Sequence, residues 1–332
     1  MMKYFRTLLG KDIRLMRSGR FFLVSLGFLI LYTFYVNFGY VRFMDTQIYN
    51  VYLYDPAGTQ ERTSALVRRV SSKEAFDRAL YQDANSVGIN AAAGDIQIVL
   101  YGGTEKADRH RADYALSLLQ PAAPYTAGDV GLYTPEEKAR REITCELLFF
   151  EISAVGFLGI AAVLFKEKGM GVIRVHAVLP LQENLFLLSK LILFLLSDLV
   201  FAVLLTILNL GVSAAMPILP AILFQTALLS LIMALTGLVC ALLLKDFRQF
   251  TLVYLLIAIF AATPVFLSAN TAVKLDWIGL HPFYHIYMGL KNAYFGISAS
   301  SPFYYWGIAS MIAVLYAGVH QLFRREMGKE AA

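Results

Sequence analysis

Apolar residues in this chain are gathered into six runs rather than spread evenly. They cover Phe21–Val41, Ile143–Phe165, Leu185–Gly211, Ile218–Leu244, Gln249–Ala269 and Phe303–Phe323. Each reaches the ~20 residues that cross ~30 Å of hydrocarbon. An unpaired backbone group inside lipid costs several kcal/mol, so each run is expected to close its hydrogen bonds internally as a helix. The pattern predicts an α-helical integral membrane protein with six transmembrane helices: 21–41, 143–165, three more within 185–269, and 303–323.

The stretches between the runs carry patterns of their own. In residues 1–20, Tyr4, Phe5, Leu8, Leu9, Ile13 and Met16 recur at helical spacing, with Lys11, Arg14 and Arg17 between them. That is an amphipathic helix suited to the membrane interface. Residues 42–142 are long enough for a small domain with its own core. Ile48–Asp55 reads as a strand ending at an Asp-Pro turn, and Ser71/Ser72 followed by Glu74 starts a short helix. Val87 and Ile89 alternate, Ala93-Gly94-Asp95 turns, and Ile96, Ile98 and Leu100 alternate again, which predicts a hairpin. A helix over 105–120 stops at Pro121, and Pro124 and Pro135 mark a linker. The segment is therefore expected to be an α/β domain. Residues 270–302, with Trp277, Phe283, Tyr284, Tyr287, Tyr294 and Phe295, suit interfacial or re-entrant helices.

Composition agrees with this reading: 58% of residues are hydrophobic and only 16% charged, against about 25% charged in soluble domains. Charge then orients the spans. Residues 1–20, 166–190, 245–248 and 324–332 together hold 15 Lys/Arg and 6 Asp/Glu, whereas 42–142 holds 12 and 14. Basic short loops stay inside, so both termini, including the tail 324–332, are expected to be cytoplasmic and the α/β domain extracellular. The first run is too long for a signal-peptide core and is expected to remain as an anchor. The net charge of +5 follows from this topology and does not imply nucleic-acid binding. Cys145 and Cys240 fall at opposite ends of the spans and suggest neither a disulfide nor a metal framework.

No nucleotide-binding loop is present. Gly10-Lys11 and Gly328-Lys329 lack the glycine five residues earlier and the following Ser or Thr, and Gly102-Gly103 after a strand lacks the rest of a phosphate-binding fingerprint. His281 and His285 stand four apart, as two metal ligands on one helix face could, but no third ligand is evident, so no metal is expected. Intramembrane carboxylates are more informative. Asp198 lies near the middle of span three with Asn209 further along it, and Glu146 and Glu151 lie in the outer half of span two. A charge there costs at least ~3 kcal/mol and should face protein or water. Asp198 is either an interhelical hydrogen-bonding group or a pathway or coupling residue, and Glu151, nearer the outer mouth, is the better placed to line a route.

The segment 166–184 is short, basic at its start and interrupted by Gly169 and Gly171, with Pro180 before the next helix. Glu167, Lys168, Gly169, Pro180 and Lys190 fall in the pattern of the coupling segment of ABC-2 type permeases, the membrane subunits of type-2 ATP-binding-cassette exporters, and His281, Pro282, Gly289 and Leu290 resemble the family's re-entrant motif, with His where Asn is usual. The chain resembles this family over essentially its whole length, and the large insertion after span one matches a subgroup with an external domain there. The resemblance implies a non-catalytic permease of the bacterial plasma membrane, exporting a hydrophobic or amphipathic drug, peptide or lipid. This chain would bind no cofactor; ATP and Mg would sit on a separate cassette subunit, present in two copies. A second permease chain, identical or different, would complete the transporter in the lipid bilayer. At the cassette groove Val172, Ile173 and Val175 are expected as apolar anchors, with Lys168 and Arg174 at the rim. The rival readings are a membrane sensor with an external binding domain and a secondary transporter; the absence of a visible internal repeat of spans argues against the latter.

Overall fold

The computed structural model describes residues 2–40, 49–58, 67–82, 86–92, 96–100, 105–119, 133, 135–173, 175, 183–269, 276–297 and 302–331. In chain order the helices and strands are α1 (Met2–Ser18), α2 (Phe21–Phe34, continued by a π-helical turn Tyr35–Tyr40), β1 (Val51–Tyr54), β2 (Val67–Val70), α3 (Lys73–Gln82), β3 (Val87–Asn90), β4 (Gln97–Leu100) and α4 (Glu105–Leu119). There follow α5 (Pro135–Phe150), a π-helical turn (Glu151–Gly156), α6 (Phe157–Gly169), α7 (Glu183–Leu210), α8 (Leu219–Leu243), α9 (Phe247–Ala269), a 3-10 turn (Asp276–Leu280), α10 (Pro282–Tyr294) and α11 (Pro302–Ala331). The chain divides into a helical unit, Met1–Val41 with Tyr133–Ala332, and a smaller unit, Arg42–Leu132.

Among the described residues, six helical segments of the larger unit are long and apolar enough to cross a membrane: Phe21–Tyr40, Glu136–Gly169, Asn184–Leu210, Leu219–Leu243, Phe247–Leu267 and Pro302–Gly328. They coincide with the six apolar runs. The second is longer than its run because α5 begins in charged sequence, so residues 135–142 belong to this helix and not to the α/β unit. α8 lies at the centre of the bundle, packed against α6, α7, α10 and α11. Leu229, Ile232, Leu235 and Leu238 on it are fully buried. Lipid offers little hydrophobic drive for helix association, so close backbone approach matters. At Gly237 of α8 a Cβ would lie 2.6 Å from Ile160 Cγ2 and 3.0 Å from Phe157 O on α6. Gly237→Ala should therefore lower stability by about 1–3 kcal/mol, read as thermal unfolding in detergent. Gly318→Ala, where nothing lies within 4 Å, should leave it unchanged. Equal behaviour of the two variants would refute the close-packing account.

The smaller unit holds a four-stranded sheet in the order β2-β1-β3-β4. β1 pairs parallel with both β2 and β3, with Val51 opposite Val67 and Val87, and β4 closes the sheet antiparallel to β3, with Val87 opposite Leu100. Val51, Leu53, Val87 and Ile89 meet Ala115 and Leu119 of α4 in its core. α3 lies so close over β3 that a Cβ at Gly88 would stand 2.6 Å from Leu80 Cδ1. The sequence pattern predicts one strand before α3, and there are two. β2 reads Val-Arg-Arg-Val at the sheet edge with both arginines exposed, a pattern lacking the alternation that marks a half-buried strand. Gly102-Gly103, the Ala93-Gly94-Asp95 turn, Pro121 and Pro124 lie outside the described residues.

Candidate functional site

α1 exposes Arg6, Arg14 and Arg17 but buries one anion. Leu8, Asp12 and Met16, spaced four apart, form the face turned to the bundle, at 5%, 1% and 1% exposure. An unpaired buried carboxylate would be very costly, and α7 and the adjacent Lys11 supply its partners. Lys190 at the start of α7 places Nζ 3.1 Å from Asp12 Oδ1 and 2.6 Å from Glu167 Oε2 at the end of α6. Lys11 Nζ donates to Glu167 Oε1 at 2.5 Å. Ser189 Oγ donates to Asp12 Oδ2 at 2.8 Å. The result is a neutral tetrad of two lysines and two carboxylates. Asp12, Glu167 and Lys190 are almost wholly removed from solvent, and Lys11 forms the half-open rim. Phe186 lies beneath both ammonium groups, at 4.3 Å from Lys190 and 5.2 Å from Lys11, and stacks on Phe323 of α11 at 5.1 Å.

Around this tetrad the coupling residues expected from the sequence separate into two groups. Glu167 is an interior member of the tetrad. Lys168 reaches outward to Glu326 of α11 at 3.3 Å, and Lys166 donates to Ser18 Oγ at 2.9 Å. α6 ends at Gly169, and Gly171 takes a left-handed conformation, φ +69°, that L side chains resist. Beyond it the backbone becomes helical again, and Val175 N donates to Gly171 O at 3.1 Å. This turn carries Ile173 into the bundle core, at 3% exposure, and packs Val172 against it, while Met170 and Val175 remain more than half exposed. Arg174 and Pro180 lie outside the described residues. Among the described residues of this segment Met170 and Val175 are the exposed apolar side chains, and Ile173 is not.

The other candidate residues lie deeper or at the opposite end. Asp198 in α7 accepts a 2.6 Å hydrogen bond from Ser230 Oγ of α8, which is the interhelical bond that one reading of the sequence expects. Glu151 opens the π-helical turn of span two and is 4% exposed. Glu146 sits where Tyr287 of α10 can donate to it at 3.5 Å. Asn209 belongs to a polar cluster far from the tetrad: its Nδ2 donates to Thr144 Oγ1 at 3.2 Å, and its carbonyl accepts from Arg140, which also binds Asn37 Oδ1 at 2.6 Å. Arg141 beside it donates to Tyr294 O at 2.5 Å and lies over Tyr133 at 4.2 Å. Lys291 of α10 pairs with Glu142 at 3.1 Å. These contacts fasten the entrance of α5 to α10. His281, the cap of α10, is buried against Phe260 at 4.2 Å, and burial lowers its pKa from the usual imidazole value. His285 instead contacts Gly279 O at 2.7 Å, so the two histidines do not converge.

Asp12, Ser189 and the Arg140/Arg141 pair are functional candidates that sequence reasoning missed. A signal for Asp12 exists: it stands four residues from Leu8 and from Met16, on the stripe that would otherwise be wholly apolar. The family model described as "ABC-2 family transporter protein" matches residues 45–319. Comparisons with curated proteins and with solved structures give no match.

Proposed function

The chain belongs to the ABC-2 transporter family, and on that premise we propose that it is a permease moving a hydrophobic or amphipathic substrate outward, driven by ATP hydrolysed on a separate cassette subunit. In this reading two cassettes serve two permease chains, ATP and Mg reside on the cassettes, and the assembly sits in the plasma membrane. Both termini and the 166–184 segment face the cytoplasm; the α/β unit lies outside and acts on substrate release or on capture of a partner. The Lys/Arg bias of the short loops supports that orientation. The observation that carries the coupling role is the buried tetrad. It ties the end of span two to the interfacial helix and to span three, so a push on the exposed Met170 and Val175 would reach three helices together. A ligand-driven change requires differential contact in the two states, and a cassette that closes on ATP supplies one at this turn.

The test is biochemical. The purified chain alone should hydrolyse no ATP, and it should co-purify with and stimulate a co-expressed cassette subunit. ATP hydrolysis by the isolated polypeptide, or a cassette that neither binds nor responds, would overturn the assignment.

A further inference from the structure

The tetrad fixes the roll of α1 about its own axis, because Asp12 must point at Lys190 with Leu8 and Met16 buried on either side of it. The opposite face of the helix is thereby fixed too. At about 100° per residue, Arg6, Arg14 and Arg17 fall in one arc of about 80°, centred about 160° away from the buried face. All three are exposed. Gly10 lies in the middle of their arc and has nothing within 4 Å of where a Cβ would stand, so this side of the helix is open.

Two further cations extend this face at the corner between α1 and α2. Lys166, exposed near the end of α6, donates to Ser18 Oγ at 2.9 Å, which brings its ammonium to the residue next to Arg17. Arg20 forms the corner itself. Its backbone is left-handed, with φ 56° and ψ 20°, and among the described residues it is the one non-glycine position with positive φ. Glycine and asparagine take that conformation more readily than arginine does. An outlier of this kind points to a task for the side chain. Among the described residues no carboxylate pairs with Arg6, Arg14, Arg17, Arg20 or Lys166, and the first turn of α2 holds no acidic residue. The chain gathers these cations on one surface and supplies no anion to them.

Position decides which anion fits. Phe21 opens span one directly after Arg20, so Arg17 and Arg20 stand within about one helical turn of the hydrocarbon. Ile13, 41% exposed, borders the cationic arc on one side. That is the arrangement of a helix that sinks an apolar edge among acyl chains and lays its cations on phosphates. We infer that the open face of α1, with Arg20 and Lys166 at its corner, is a docking surface for the headgroups of anionic phospholipids. Acidic lipid would hold the interfacial helix to the bilayer on one face while Asp12 holds it to the bundle on the other. The inference rests on the membrane placement of the chain and is independent of its partner ATPase.

The test exposes the full chain in detergent to equal amounts of dioleoyl phosphatidylglycerol and dioleoyl phosphatidylcholine, which share their tails and differ in charge. Bound lipid is counted by native mass spectrometry. Wild type should favour phosphatidylglycerol about fivefold or more, the factor that one juxtamembrane cation contributes, and should lose the preference at high salt. Arg17→Gln combined with Arg20→Asn should bring the two lipids close to equality. Its Tm should stay unchanged or rise, because asparagine tolerates the left-handed corner. Arg68→Gln, which removes an exposed cation of the α/β unit, should leave the preference as in wild type. No preference in wild type, or a preference that the double variant keeps, would overturn the surface. An equal loss in Arg68→Gln would overturn it as well, since net charge alone would then account for the result. So would a double variant that keeps its lipid preference but releases a co-expressed cassette, which would assign the face to protein docking. Lipid preference lost with cassette association intact is the outcome expected here.

Discussion

Lys190→Met should destabilise the helical unit by about 3–5 kcal/mol, the range for stripping one partner from a buried ion pair. In a unit of this size that corresponds to a fall of roughly 10 °C in Tm. The side chain carries its ammonium to 2.6 Å from Glu167 and 3.1 Å from Asp12. Methionine fills most of the same space, so packing is nearly conserved and the charge alone is lost. Two carboxylates would then share the partly exposed Lys11. Removing the matching anion should relieve the fault: Glu167→Gln combined with Lys190→Met ought to recover most of the lost stability, because replacing both partners avoids a stranded charge. Lys166→Ala, which removes only an exposed contact to Ser18, should shift stability by less than about 1 kcal/mol. Thermal unfolding of the four proteins in one detergent checks this. A double variant no better than Lys190→Met would show that the tetrad is not a charge-balanced unit.

How much of this was legible from the sequence depends on the range of the interaction. The six spans are visible because a run of some twenty apolar residues has one stable outcome in lipid, and Met2–Ser18 is visible because helical spacing repeats within it. The tetrad is not visible in that way. Asp12, Glu167 and Lys190 come from three distant stretches, and nothing in any one of them points to the other two. Only tertiary packing makes them neighbours. The π-helical turn at Glu151–Gly156 is hidden for another reason: the apolar pattern of span two does not change where its hydrogen-bond register widens. In the α/β unit, β2 escapes notice because an edge strand can leave two arginines side by side in solvent and still pair its backbone with β1.

The turn at Gly171 illustrates the same boundary, and its test carries the second large effect. Val172, Ile173 and Val175 are equivalent by composition, and three apolar residues below a membrane invite the reading that all three anchor a partner. The left-handed turn at Gly171 divides them, sending Ile173 into the core and leaving Val175 exposed. An aspartate at Ile173 would therefore unfold the protein locally and say nothing about a partner. Val175→Asp is the informative substitution. Interfaces concentrate their energy in a few buried side chains, so a charge at a docked Val175 should cost about 1–3 kcal/mol of cassette binding, roughly tenfold to a hundredfold in affinity. Stimulated ATPase activity should fall with it, while Tm and insertion of the six spans stay as in wild type. Ile173→Ala should behave in the opposite way, losing about 2–5 kcal/mol of stability through the cavity it leaves with cassette affinity per folded molecule unchanged. If Val175→Asp keeps full cassette binding and coupling, the exposed turn merely rests at the membrane surface and the docking assignment fails.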